Sequence, residues 1–249
     1  MMRICSILLL LAAAMPSWAA SEHLMHAKVD LSDTASLRRG ARTFVNYCLS
    51  CHSAAYMRFN RMGQDLGING DILKKNFMFG TKKVGDTMTI AMRKEDAEKF
   101  FGVVPPDLSV VARARGADWL YTYFMSFYRD PSKPTGVNNL VFKDVAMPDV
   151  LWKLQGWQRP VYVQEKNADG TMAKRIDHLE METPPSHKPA AYAKEDYDQT
   201  VTDLVNFLVY LGEPIKLKRY AIGGRVMLYL LVLLVIAYFL KKEYWKDVH

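Results

Sequence analysis

A chain of 249 residues has room for one sizeable domain with small additions. Half of the residues are hydrophobic, and they gather in two runs at the two ends, with a mixed, globular-looking stretch between. The net charge of +7 does not point to nucleic acid, because much of the positive charge flanks the C-terminal run and the N-terminal run directs export.

The first run, Ile7-Leu8-Leu9-Leu10-Leu11 and three alanines, follows Arg3 and precedes Ser17-Trp18-Ala19-Ala20. A positive start, a short apolar core and small residues at the end describe a secretory signal peptide, residues 1–20, cleaved after Ala19 or Ala20. The run is too short for a spanning helix, which needs about 20 apolar residues. Cys5 leaves with it, and the mature chain keeps Cys48 and Cys51. An exported protein could join these two in a disulfide; the residue after them argues otherwise.

Residues 35–47 read as a helix, with Leu37, Ala41, Phe44 and Val45 on one face. The helix leads into Cys48-Leu49-Ser50-Cys51-His52. C-x-x-C-H is the haem attachment signature. Two thiols at this spacing each add to one vinyl group of the same haem, and the adjacent histidine lies beneath the iron as an axial ligand. A structural zinc site would need a second ligand pair, which the sequence lacks, and a redox disulfide would need neither this histidine nor the helical approach.

The other histidines, His23, His26, His178, His187 and His249, fall in terminal or polar, charged stretches and read as surface residues. A second axial ligand could come from Met57, Met62, Met78, Met88, Met92, Met125, Met147, Met172 or Met181. Met147 stands out because Pro148 pushes it toward an extended conformation, in which a loop can hold a thioether against iron. An ordinary proline-bounded loop is the competing reading.

Residues 96–101 and 117–128 read as helical. Trp119, Tyr121, Tyr123, Phe124, Phe127 and Tyr128 make a dense aromatic cluster suited to a core around a buried cofactor. Residues 158–189 read as a hairpin-like excursion, with a turn at Asn167-Ala168-Asp169-Gly170 and a loop at Pro184-Pro185-Ser186. Between Gln158 and Asn206 there are nine acidic and six basic residues. An acidic excess there could steer a basic partner, and a solvated loop is the plainer reading.

The second apolar run, residues 221–240, is long enough to cross a bilayer. Lys216, Lys218 and Arg219 precede it. Lys241, Lys242 and Lys246 follow, with Tyr244 and Trp245 at interface depth. The export signal places the bulk of the chain outside and residues 241–249 inside.

Four stretches carry a resemblance to the cytochrome c1 family, the haem subunit of ubiquinol–cytochrome c reductase. They are Cys48-Leu49-Ser50-Cys51-His52-Ser53; Val104-Pro105-Pro106-Asp107-Leu108-Ser109, followed by Val110-Val111-Ala112-Arg113-Ala114-Arg115-Gly116; Ala146-Met147-Pro148; and Phe207-Leu208-Val209-Tyr210-Leu211-Gly212-Glu213-Pro214. The resemblance implies a mainly α, class I cytochrome c-like haem domain (residues 21–216), then a basic hinge and single transmembrane helix (217–240). It implies one covalent haem c, with His52 and Met147 as axial ligands and Cys48 and Cys51 as thioether positions. Arg115 would pair with a propionate, a bidentate charge-assisted bond, with Arg113 nearby. Pro105 and Pro106 would form a rigid wall beside the ring. The implied partners are a cytochrome b subunit, a Rieske iron–sulfur subunit and a periplasmic cytochrome c, in a dimeric complex of the bacterial cytoplasmic membrane with the haem domain in the periplasm. A tail-anchored cytochrome feeding a terminal oxidase and a haem sensor with an open iron position are the rival functions.

Overall fold

The computed structural model describes residues 24–166, 171–183 and 190–247. The expected signal segment, His23, His187, His249 and the expected turn at 167–170 and loop at 184–186 lie outside the described residues.

Helix α1 (Thr34–Tyr47) begins at Asp33, whose carboxylate accepts from the Ser36 amide at 2.9 Å and so satisfies one of the free N-terminal donors. Its buried stripe is Ser36, Leu37, Gly40, Ala41, Phe44 and Val45, the face the apolar spacing implies. Ten shorter elements follow: β1 (Ala54–Arg58), α2 (Phe59–Asp65), α3 (Gly70–Asn76), β2 (Thr87–Met88), α4 (Lys94–Phe101), α5 (Val111–Arg115), α6 (Ala117–Met125), β3 (Phe127–Arg129), β4 (Val137–Asn139) and α7 (Trp152–Gln155). A long hairpin, β5 (Trp157–Lys166) and β6 (Met172–Thr183), precedes two long helices, α8 (Ala190–Gly212) and α9 (Lys216–Tyr244). Among the described residues the strands form three two-stranded antiparallel pairs, β1–β2, β3–β4 and β5–β6.

The frame of the domain is the crossing of α1 with α8. A Cβ on Gly40 would stand 2.0 Å from the Asp203 carbonyl oxygen, so the two backbones meet where only glycine fits. One turn on, the rings of Phe44 and Phe207 meet at 5.5 Å, both fully buried. Polar bonds fix the register of the crossing. The buried Asp203 carboxylate accepts two bonds from Arg39, at 2.6 and 2.9 Å. Asn206 donates to Ser36 Oγ and accepts from the Asp30 amide, each at 2.8 Å. Tyr197 of α8 donates to the Phe124 carbonyl of α6 at 2.7 Å.

The boundaries differ from the sequence reading in three places. Helix α4 starts at Lys94, two residues before the expected 96, with Glu95 and Asp96 in its first turn and Gly102 in the left-handed conformation at its end. The helix expected over 117–128 stops at Met125, and Phe127–Arg129 turns into β3, paired with β4. From Tyr121 to Tyr128 the aromatic run stays buried through both conformations, so its density could not mark the change. Helix α9 starts at Lys216 and runs through Tyr244, so the expected hinge and the first residues of the expected tail are helical.

No residue of α9 is buried, and the mean hydropathy of its most apolar stretch is 2.2. Its 29 residues give about 44 Å at 1.5 Å per residue, more than the roughly 30 Å of a bilayer core. At its root, the Glu213 carboxylate takes a bond from Arg219 of α9 and lies 3.6 Å from Arg113 of α5. These cations, Arg219 first, hold the Glu213 carboxyl below its ordinary range.

Candidate haem site

Helix α1 ends in the turn that carries the C-x-x-C-H motif. The Cys48 amide bonds back to the Phe44 carbonyl at 2.8 Å, and the His52 amide to the Cys48 carbonyl at 2.8 Å. Cys48 is buried, Cys51 and His52 are half-buried, and both thiols are free. Burial pushes the Cys48 thiol up to about 12, so it stays protonated.

The motif opens onto a cavity with about 1160 Å³ of empty space, part of it continuous with solvent. Its lining brings together Cys48, Cys51, His52, Pro105, Pro106, Arg115 and Met147. All of these were expected at the site from sequence, and the structure gathers them from four separate stretches of chain. Phe101, Val103, Trp119, Tyr123, Phe142 and Val150 complete a largely apolar wall.

His52 is oriented by a backbone carbonyl of the cavity wall. Its Nδ1 lies 2.8 Å from the Pro106 carbonyl oxygen, the contact of a ring N–H with an acceptor. That bond fixes the tautomer and leaves Nε2 for a ligand. Burial lowers the His52 pKa, partly offset by the Pro106 contact and by Asp107, so the ring is held neutral. The Pro-Asp-Leu-Ser run keeps the Pro106 carbonyl in place. The Leu108 amide donates to the Ser53 carbonyl at 2.7 Å, and Ser109 Oγ accepts from the Tyr56 amide at 3.1 Å. The Asp107 carboxylate accepts from the Ala55 and Ser109 amides at 2.9 and 2.8 Å. The role of Pro106 is therefore wider than the wall expected of it: its carbonyl orients the histidine.

The loop that carries Met147 is pinned by two buried asparagines of β4. Asn139 Oδ1 accepts from the Val141 and Phe142 amides at 3.0 and 3.1 Å, and its Nδ2 donates to the Tyr123 carbonyl at 2.8 Å. Asn138 Oδ1 accepts from the Asp144 amide at 2.8 Å. Asp144 sits at φ 61, in the left-handed region that Asp tolerates better than most residues. Beyond Met147, burial pushes the Asp149 carboxyl up to about 6, against bonds from the Leu151 and Trp152 amides. The Tyr123 hydroxyl donates to Met147 Sδ at 3.4 Å, and burial raises its pKa far enough to keep it protonated.

Arg115 and Arg113 separate. The Arg115 guanidinium lies 4.9 Å from the Trp119 ring centre and 5.8 Å from that of Phe142, at the cavity, with no ion pair among the described residues. Arg113 instead reaches Glu213 at the root of α9, which corrects the expectation that it assists Arg115. Asn138, Asn139, Trp119, Tyr123 and the Pro106 carbonyl were not singled out from sequence as site residues. Only the aromatic density around Trp119 and Tyr123 signalled any of them.

A c-type haem fits this donor set. There are two free thiols at attachment spacing, an imidazole with one nitrogen committed elsewhere, a thioether, a guanidinium without a carboxylate and apolar walls. Fold and cavity together are those of a membrane-anchored c-type cytochrome. The profile of the Cytochrome C1 family matches residues 25–248. Cytochrome c1 of Allochromatium vinosum is 47% identical over 246 residues, spanning 99% of this chain and 98% of that one. A protein of Nitrosomonas europaea named ammonia monooxygenase gamma subunit is 48% identical over 252 residues, spanning all of both chains. A chain of a hyperthermophilic respiratory complex III aligns over 99% of this chain and 96% of its own length, with a TM-score of 0.43 and 17% identity. The chain belongs to the cytochrome c1 family.

Proposed function

We propose that the chain passes single electrons within a membrane quinol–cytochrome c reductase of the bc1 type, from a Rieske iron–sulfur subunit to a periplasmic cytochrome c. What supports this most is the meeting of His52 and Met147 with both attachment cysteines in one cavity, in a member of the cytochrome c1 family. A c-type haem, when bound, supplies a one-electron couple. Cys48 and Cys51 hold it covalently, one haem per chain. His52 ligates through Nε2 while Pro106 takes its other nitrogen. Met147 supplies a thioether, and His–Met ligation raises the potential and suits electron transfer. Arg115 would neutralise a propionate by a charge-assisted bond, and the apolar walls would limit water at the ring.

The remaining assignments follow the same reading. Residues 1–20 direct export, 21–216 form the haem domain in the periplasm, 217–240 anchor it in the bacterial cytoplasmic membrane, and 241–249 face the cytoplasm. A cytochrome b subunit completes a dimeric complex.

The name of the Nitrosomonas relative raises a second reading, a subunit of a monooxygenase. Oxygen chemistry at iron needs an open position, and ligation by both His52 and Met147 would leave none. Gentle detergent extraction, followed by capture on this chain, separates the readings. A subunit with two b-type haems and an iron–sulfur protein are the expected companions. A haem–copper oxidase, or no companion, would overturn the proposal.

A further inference from the structure

The hydroxyl of Tyr123 has a partner that haem attachment alone does not require. It is a buried donor, and its acceptor is the sulfur of Met147 at 3.4 Å. Buried hydroxyls are usually bonded to oxygen, so a thioether partner at a cavity wall calls for an explanation. The ring is held on several sides. Trp119 stacks on it at 5.1 Å with an angle of 13°, and Phe124 and Phe127 meet it edge-on at 5.5 and 5.0 Å. Its own carbonyl accepts from Asn139 Nδ2, the residue that pins the Met147 loop. Ring and loop are thus parts of one rigid unit. Trp119 also carries the Arg115 guanidinium, which continues that unit to the rim of the cavity.

We propose that Tyr123 is a positioning residue that polarises the Met147 sulfur and thereby raises the affinity of the bound haem for an electron. The proposal rests on Met147 being an axial ligand. A hydrogen bond donated to a thioether withdraws electron density from it. A poorer sulfur donor stabilises the oxidised iron less, so the reduced state gains. Trp119 acts through Tyr123 by fixing the plane in which the hydroxyl lies.

The test is a redox titration of the haem in the detergent-purified complex, for the native chain, Tyr123→Phe and a chain carrying 3-fluorotyrosine at position 123. Tyr123→Phe keeps the ring packing and deletes only the donor. Its equilibrium with a one-electron mediator should move toward the oxidised haem by about two- to tenfold, the worth of one hydrogen bond. The methionine–iron absorption band should persist and carbon monoxide should stay excluded. Fluorotyrosine is a stronger donor and should move the equilibrium the other way. An unchanged midpoint in both variants would overturn the proposal. So would loss of the methionine–iron band in Tyr123→Phe, which would make the hydroxyl a clamp on the loop rather than a tuner. Failure of the ligand reading shows separately, as a Met147→Leu chain that keeps its band and midpoint.

Discussion

Two single atoms decide the chemistry of the cavity, the free nitrogen of His52 and the sulfur of Met147. Met147→Leu should lower the haem midpoint enough to shift the mediator equilibrium by at least about tenfold, and should let carbon monoxide bind the reduced protein. A redox titration and a carbon monoxide difference spectrum read both effects. The cysteines and His52 were legible in the sequence because attachment chemistry is local, five consecutive positions on one turn. Met147 was legible only in part. Pro148 hinted at its backbone, but what fixes it is a hydroxyl 24 residues away and two asparagines in a strand the sequence did not suggest. The Pro106 carbonyl lies 54 residues from the ring it orients, and no pattern in side-chain type announces a backbone acceptor.

The elements hold these atoms still, and the crossing of α1 with α8 bears most on them, since α1 ends at the attachment turn. Gly40→Ala would drive a Cβ to 2.0 Å from the Asp203 carbonyl oxygen, and backbone cannot yield as a side-chain tip can. A loss of about 3 kcal/mol or more is expected, read as a fall in thermal midpoint and a lower haem content. The helix itself was plain from Leu37, Ala41, Phe44 and Val45. That Gly40 marks a contact was not, because a glycine on the buried face reads only as a weak helix former. The end of α6 was misread for a related reason: aromatic side chains bury equally well from helix and strand, and only the pairing of Phe127–Arg129 with Val137–Asn139 distinguishes them.

The β5–β6 hairpin is an exposed two-stranded ribbon, a class of structure only marginally stable by itself. On β6, His178 lies 2.9 Å from Asp177 and 3.5 Å from Glu180 of the same strand, and these carboxylates, Asp177 first, raise its pKa. A histidine with a raised folded pKa contributes stability that is fully present below its unfolded value of about 6.5 and lost as pH climbs through the higher folded value. Amide exchange in the hairpin, corrected for the intrinsic rate, should therefore be faster at about pH 8.5 than at about pH 5.5. His178→Asn should abolish the difference.

For the whole molecule, charge and membrane attachment set how partners meet it. The acidic excess of residues 158–206 suggested a docking field for a basic carrier. In the folded chain four of the nine carboxylates are paired with arginine: Glu180 with Arg159 at 2.9 Å, Glu182 with Arg129 at 3.2 Å, Glu165 with Arg175 at 2.5 Å and Asp203 with Arg39. Arg129 and Arg39 come from outside the segment, so partners distant in sequence offset part of an excess that the local count left standing. Replacing Glu180 and Glu182 by glutamine should change the low-salt rate of electron transfer to a soluble cytochrome c by less than about twofold, since exposed pairs project little field. Stopped-flow reduction at low salt checks this, and a larger fall would restore the docking role. The anchor was legible as a run of apolar residues. Its true start at Lys216 was not, because the basic residues read as a hinge and not as the first turn of a helix rooted on Glu213.

The central claim is that this chain relays electrons drawn from quinol through a haem closed to outside ligands. It is tested most directly by following the c-type absorbance of the detergent-purified complex after mixing with quinol. The account predicts reduction of the haem on Cys48 and Cys51 that requires the iron–sulfur subunit and is indifferent to carbon monoxide. A haem that stays oxidised in the presence of quinol, or one whose reduced spectrum shifts when carbon monoxide is added, would contradict it.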